Sequence, residues 1–165
     1  MKLLSSDKNN KEKVFKNYIV ENKDSFYRMA YSYTKNEDDA LDIVQESICK
    51  GLSKVNKLKD INCIKSWFYR ILINSAVDYI RKNKKYLSID EEELNNKYIH
   101  NDIYVDLDLH RALDILPYEY KSVIILRYFE DMKINEIADV LNENVNTIKT
   151  RLYSALKKLK IEINQ

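Results

Sequence analysis

Apolar positions along this 165-residue chain recur at three- and four-residue intervals over most of its length, the spacing of helices that each bury one stripe. Between residues 11 and 60 the pattern predicts two or three helices, with Tyr27, Tyr31, Leu41, Val44, Ile48 and Leu52 suited to a shared buried side. From about Ile64 to Lys84, Phe68, Ile71, Leu72, Ser75, Tyr79 and Ile80 predict a further helix with a basic end. Periodicity then fades through YLSIDEEELNNKYIHNDIYVDLD, which reads as a flexible acidic linker. It resumes with Leu109, Ala112, Leu113 and Leu116. Pro117 ends that stripe or hands the chain to a new helix, in which Val123, Ile124, Leu126 and Phe129 face mostly inward.

The last part of the chain, INEIADVLNENVNTIKTRLYSALKKLK, predicts two helices separated by a short turn. Ile134, Ile137, Ala138 and Leu141 form the stripe of the first. Asn142 tolerates the left-handed backbone that a sharp helix-to-helix turn needs, and Asn144 can cap the second helix by accepting from amides near Thr147. In the second helix Ile148, Leu152, Ala155, Leu156 and Leu159 face the first, while Lys149, Thr150, Tyr153, Ser154 and Lys157 share the opposite side. Donors, an aromatic and cations on the N-terminal half of such a helix suit a major groove. Lys149 can reach guanine acceptors, Thr150 and Ser154 can take either base-edge role, and Tyr153 can supply apolar contact or a hydroxyl. Arg151, Lys157 and Lys158 suit phosphates, which position without specifying. The plainer alternative is a solvated lysine-rich helix.

Composition narrows the fold further. One Gly and one Pro leave no material for glycine-rich phosphate loops or multi-turn β architectures, so the expectation is all-α. The domains expected are residues 1–86, a linker over 87–107, and residues 108–165, with the boundary between Tyr86 and Asp106. Cys49, Cys63, His100 and His110 are too few and scattered for a zinc site or a disulfide framework, and the thiols read as buried or incidental. No metal, cofactor, catalytic nucleophile or small-molecule substrate is expected, so the chain reads as no enzyme. The N-terminus lacks a signal-like apolar run and no segment is long enough to span a bilayer, which points to the cytoplasm.

A net charge of only +2 by itself argues weakly against a nucleic-acid partner, but its uneven distribution changes that. Lys65, Arg70, Arg81, Lys82, Lys84 and Lys85 stand against Asp78 alone, and Lys149, Arg151, Lys157, Lys158 and Lys160 against Glu162, with the acidic linker between. One helix-turn-helix makes few contacts and usually needs a dimer partner, for which no heptad is present. The candidate second contact is IKSWFYRILINSAVDYIRKNKK, where Trp67, Phe68 and Tyr69 interleave with Arg70 and a basic tail that includes Arg81. That mixture suits stacking on unpaired bases, and equally suits core packing.

Three blocks in order resemble the extracytoplasmic-function group of bacterial sigma-70-type RNA polymerase sigma factors. DALDIVQESICKGL, at 39–52, is similar to the family's D-A-x-D-x-x-Q-E segment. KSWFYRILINSAVDYIRK, at 65–82, is similar to its S-W-L-Y-R-I-A-x-N block, and residues 116–160 to its C-terminal helix-turn-helix domain. The resemblance implies a sigma-2-like helical bundle and a sigma-4-like helix-turn-helix domain. It implies that Asp42, Gln45 and Glu46 dock on core polymerase, and that Asn74, with Trp67, Arg70 and Arg81 around it, reads a base flipped from the −10 strand. It places Lys149, Thr150, Arg151, Tyr153, Ser154 and Lys157 at the −35 duplex, and threads the linker through the polymerase cleft. Core RNA polymerase, promoter DNA and a membrane-anchored anti-sigma factor are the partners it implies, with a role in a cell-envelope stress response. The anti-sigma factor would hold the chain at the inner membrane face.

Departures from the family pattern fall in the turns. Asn142 and Asn146 replace common glycines, Asp131 replaces another, Lys133 stands where a capping Ser is usual, and Glu143 occupies a normally apolar position. A stand-alone helix-turn-helix regulator using residues 109–163 is the first rival reading. A helical interaction protein with merely solvated basic faces is the second.

Overall fold

The computed structural model describes residues 2–87 and 112–163, with side chains over 10–83 and 112–160. The elements among the described residues are all helical, with no strand among them. The order is α1 (Lys2–Thr34), α2 (Glu37–Lys54), short 3-10 turns at Val55–Lys57 and Ile61–Cys63, and α3 (Ile64–Leu87). After a helical turn at 112–114 come α4 (Tyr118–Ile124), a π turn (Ile125–Phe129), α5 (Ile134–Leu141) and α6 (Val145–Ile163). They fall into two compact units, the first built chiefly from α1 to α3 and the second chiefly from α4 to α6. Two helical units agree with the all-α, two-domain fold that the sequence implies. The acidic linker lies outside the described residues, apart from Leu87, as do His100 and His110.

Aromatic packing organises the first unit. Phe15, Phe26, Phe68, Tyr69, Met29 and Leu72 are fully buried. Phe26 meets Phe68 edge-on at 4.7 Å and Tyr69 at 5.5 Å, and Phe15 meets Phe68 at 5.4 Å. Such edge-to-face pairs place the positive ring rim against a negative ring face, each adding about 0.5–1.5 kcal/mol to the burial itself.

The buried side of α1 lies about one residue round from the expected one, and on α2 Val44 is buried as expected while Leu41 is not. Phe26, Met29 and Ala30 face inward, while Tyr27 and Tyr31 stack on each other at 5.9 Å and stay partly exposed. On α2 the inner line is Ala40, Ile43, Val44, Ser47 and Gly51, and Leu41 is 47% exposed. Small residues on that line let the helix backbone approach the Phe15 ring, and Ser47 satisfies its buried hydroxyl by donating to the Ile43 carbonyl at 2.6 Å. Periodicity weighted by side-chain size picks the large apolar residues and overlooks this line. The thiols of Cys49 and Cys63 are exposed, contrary to a buried reading.

The link from α1 to α2 needs one left-handed residue, Lys35 (φ 56°). Asn36 then caps α2 by accepting the Asp39 amide at 3.0 Å, and Glu37, Asp38 and Asp39 complement the positive end of the helix.

In the second unit Ala112, Leu113, Leu116 and Ile124 pack with Ala155 and Leu159 of α6, flanked by Tyr120 and Leu152. Pro117 occupies the N-cap of α4. The π turn that follows closes an i→i−5 bond from the Glu130 amide to the Ile125 carbonyl at 3.1 Å. The extra residue shifts the helix register, so Glu130 lies inside and Phe129 is 44% exposed instead of inward.

Candidate nucleic-acid interfaces

The helix-turn-helix is assembled from polar residues where glycine is common. Asn142 is left-handed, with φ 53°. The Glu143 amide returns to the Ala138 carbonyl at 3.0 Å, which closes the end of α5. Asn144 Oδ1 accepts the Thr147 amide at 2.8 Å, the cap that the sequence predicts. At the start of α5 Lys133 offers no side-chain oxygen, yet Glu136 reaches back to accept the Lys133 amide at 2.7 Å, so half of a capping box survives. Asp131, the third departure, is also left-handed at φ 51°.

Ile148, Ala155 and Leu159 bury the inner stripe of α6, with Leu152 partly buried and Leu156 at 40% exposure. Lys149, Thr150, Tyr153 and Lys157 are exposed on the other side, Tyr153 to 74%, and Ser154 is partly exposed beside them. Thr150 donates its hydroxyl to the Asn146 carbonyl at 2.9 Å, so it presents acceptor lone pairs and a methyl outward. No acidic residue occupies the first turn of α6 itself. An open cleft of about 580 Å³ lies at this end, lined by Asn144, Val145, Asn146, Thr147, Thr150 and Arg151. Arg151, placed among the phosphate contacts by its charge, is paired through Nη2 with Glu143 Oε1 at 2.7 Å.

On α3 the residues Trp67, Arg70, Asn74 and Arg81 follow spacings of three, four and seven, one stripe of a helix. Arg70, Asn74 and Arg81 are exposed, and Trp67 is partly buried with its ring edge-on to Phe15 at 5.8 Å. Phe68 and Tyr69 belong to the core, so of the three consecutive aromatics only Trp67 borders the exposed stripe.

Asp42, Gln45 and Glu46 stand on one exposed face of α2, opposite Ala40, Ile43 and Ser47. Glu46 Oε1 pairs with Lys50 at 2.7 Å, and Lys50 also donates to Ser75 of α3 at 2.9 Å, which ties this face to the bundle. Leu41 joins the face as an exposed apolar group next to Asp42 and one turn from Gln45. Counting Leu41 as core overlooks it, and no local signal in the sequence marks it as exposed.

Among the described residues no group of three or more His, Cys, Asp or Glu side chains could hold a metal ion. No described helix is long and apolar enough to cross a membrane.

Residues 18–86 match the sigma-70 region 2 family and residues 106–159 the sigma-70 region 4 family. The chain is 53% identical over 150 residues to the RNA polymerase sigma factor SigV of Bacillus subtilis (strain 168), covering 89% of each protein. It is 27% identical over 157 residues to the ECF RNA polymerase sigma factor SigW of the same organism, covering 86% of this chain and 84% of that one. In fold it is similar to the sigma factor RpoE solved with the anti-sigma factor NepR from Bartonella quintana. That likeness has a TM-score of 0.80 at 24% identity over 91% of this chain and 96% of that one. It is also similar to CnrH solved with the cytosolic domain of CnrY, with a TM-score of 0.70 at 19% identity over 98% and 95% of the two chains.

Proposed function

The chain belongs to the extracytoplasmic-function group of the sigma-70 family of RNA polymerase sigma factors, and from that premise we propose that it binds core RNA polymerase and directs transcription initiation by reading promoter DNA at two places. Residues 1–86 dock on polymerase and read the −10 strand, residues 87–107 link, and residues 108–165 read the −35 duplex. The observation that carries this is the pairing, in one chain, of a capped recognition helix with an exposed cationic face and a second exposed helix stripe centred on Asn74.

Each contact is weak alone, and tethering both to one polymerase raises the effective concentration of each for the other. At −35, α6 enters the major groove. Lys149, Thr150, Tyr153 and Ser154 meet base edges while Lys157 meets phosphate. At −10, the Asn74 amide pairs with a base edge that is available only once the base leaves the stack, so capture biases open over closed DNA. Trp67 offers a partly exposed ring beside that base, and Arg70 and Arg81 follow the backbone. Asp42, Gln45 and Glu46, with Leu41 among them, meet a basic helix of polymerase. The chain supplies recognition, and the chemistry of RNA synthesis belongs to polymerase.

The partners follow the same reading. An anti-sigma protein, membrane-anchored and responsive to envelope stress, would mask these faces, and the site of action is the cytoplasm. The solved relatives RpoE and CnrH are themselves described in complex with NepR and CnrY, which supports a partner of that class. The stand-alone regulator is not favoured, because region 2 and region 4 are matched together in one chain.

The test is run-off transcription with purified bacterial core polymerase, with and without this chain. Transcripts that start at defined sites only when the chain is present are the expected result. Duplex binding with no polymerase-dependent start would return the regulator reading.

A further inference from the structure

We propose that Glu143 is a positioning residue that holds the Arg151 guanidinium out of the phosphate contacts of the helix-turn-helix. The inference rests on the duplex-reading role given to α6 above. Sequence charge counts Arg151 with Lys157 and Lys158 as a backbone contact, whereas the structure has already given it an anionic partner. Arg151 Nη2 donates to Glu143 Oε1 at 2.7 Å, with the two side chains 23% and 34% exposed.

Both ends of this pair are fixed. Arg151 lies inside α6, and Glu143 stands between left-handed Asn142 and the cap residue Asn144, with its own amide bonded back to Ala138. The backbone that carries the carboxylate is thus set by the turn, so Glu143 starts within reach of Arg151 whenever α5 and α6 are folded. Arg151 also lines the open cleft at the start of α6 together with Thr147 and Thr150, so it is not shut away from the face given to DNA. Charge is what withholds it. A cation neutralised by a carboxylate has no condensed counterion to displace from DNA, and a phosphate approaching the pair meets the carboxylate's repulsion as well as the guanidinium's attraction.

This gives a reason for an acidic residue at a turn position where an apolar one is usual. It lowers the share of −35 affinity that comes from sequence-independent phosphate attraction. The fraction that comes from Lys149, Thr150, Tyr153 and Ser154 rises accordingly. Glu143 thus acts on discrimination between promoter and bulk DNA through Arg151, without touching DNA itself.

The experiment measures binding of the reconstituted holoenzyme to a promoter fragment across a salt series. It compares the unaltered chain with Glu143→Gln, Arg151→Ala, the double variant and Lys157→Ala. Glu143→Gln should tighten binding severalfold at low salt and steepen the log–log salt slope by about one unit. Arg151→Ala leaves the Glu143 carboxylate unpaired beside the phosphates and should weaken binding, whereas the double variant, with the same net charge as the unaltered chain, should return to the unaltered slope. A purely structural role for the pair would weaken binding without steepening the slope. The inference is overturned if Glu143→Gln leaves the slope unchanged or shallower, or if the double variant is shallower than the unaltered chain by about one unit. The second result needs only the double variant to fold. A slope that falls normally with Lys157→Ala while Glu143→Gln does nothing sinks this inference alone. An unaltered holoenzyme that fails to bind promoter DNA sinks the duplex-reading role beneath it.

Discussion

The ring of Phe15 on α1 occupies the space that a side chain at Gly51 on α2 would need: a Cβ built there would stand 2.4 Å from Phe15 Cζ. The ring has nowhere to retreat, since it is fully buried and held edge-on by Phe68 at 5.4 Å and Trp67 at 5.8 Å. This accounts for the position of the single glycine in the chain, inside a helix where glycine is otherwise unfavourable.

Gly51→Ala should therefore destabilise the first unit by about 1–3 kcal/mol, the usual cost of overpacking a filled core. Helix propensity alone would make the same change stabilising by roughly 0.5–1 kcal/mol, so the sign distinguishes the two effects. The check is chemical denaturation of the full chain. Adding Phe15→Leu to Gly51→Ala should cost less than the sum of the single changes, because the smaller side chain admits the methyl.

The turn before α6 makes a second prediction. Asn142→Gly should be neutral or stabilising, because φ 53° carries a steric cost of roughly 1–2 kcal/mol for a side-chain-bearing residue and none for glycine. Asn142→Ala should be destabilising. Asn144→Ala removes the acceptor for the Thr147 amide and should cost about 1 kcal/mol. Thermal unfolding of the three variants checks the order, and Asn142→Ala proving as stable as Asn142→Gly would refute the backbone argument.

How much of this was readable beforehand depends on whether a signal was local. Asn142 and Asn144 announce a left-handed turn and a cap through their own chemistry, and both are found so. Buried sides depend on partners that the sequence does not show. Leu41 is exposed because the aromatic cluster of α1 selects small residues on α2, and Phe129 is exposed because a π turn inserts one residue into the count. The pairing of Arg151 with Glu143 spans the turn, so only folding brings those charges together. The exposed stripe of α3 was legible in part. Spacing places Trp67, Arg70, Asn74 and Arg81 together and Phe68 on the apolar stripe, but only the packed structure adds Tyr69 to the core.

Asn74→Ala should reduce promoter opening while leaving duplex binding through α6 intact, since an alanine cannot pair with an unstacked base. Permanganate reactivity of the −10 region, measured beside a binding assay at a temperature where the duplex stays closed, separates the two steps. Equal loss in both assays would mean that Asn74 supports the helix and does not read a base.

The exposed face of α6 divides into residues expected to read sequence and residues expected to follow the backbone, and this yields the sharpest contrast. Lys157 is exposed one turn beyond Tyr153, toward the C-terminal half of the helix. Lys157→Ala should weaken binding by a similar factor on every promoter and make the salt slope shallower by about one unit. Tyr153, at 74% exposure, carries no charge and should leave the slope unchanged when replaced by Ala. Its loss should instead cost about 1–3 kcal/mol on a matched −35 sequence and little on a mismatched one. Competition binding across a set of −35 variants at two salt concentrations measures both quantities together. If the Tyr153 variant changes the slope, or the Lys157 variant changes the ranking of sequences, the assignment of reading and positioning roles along α6 is reversed.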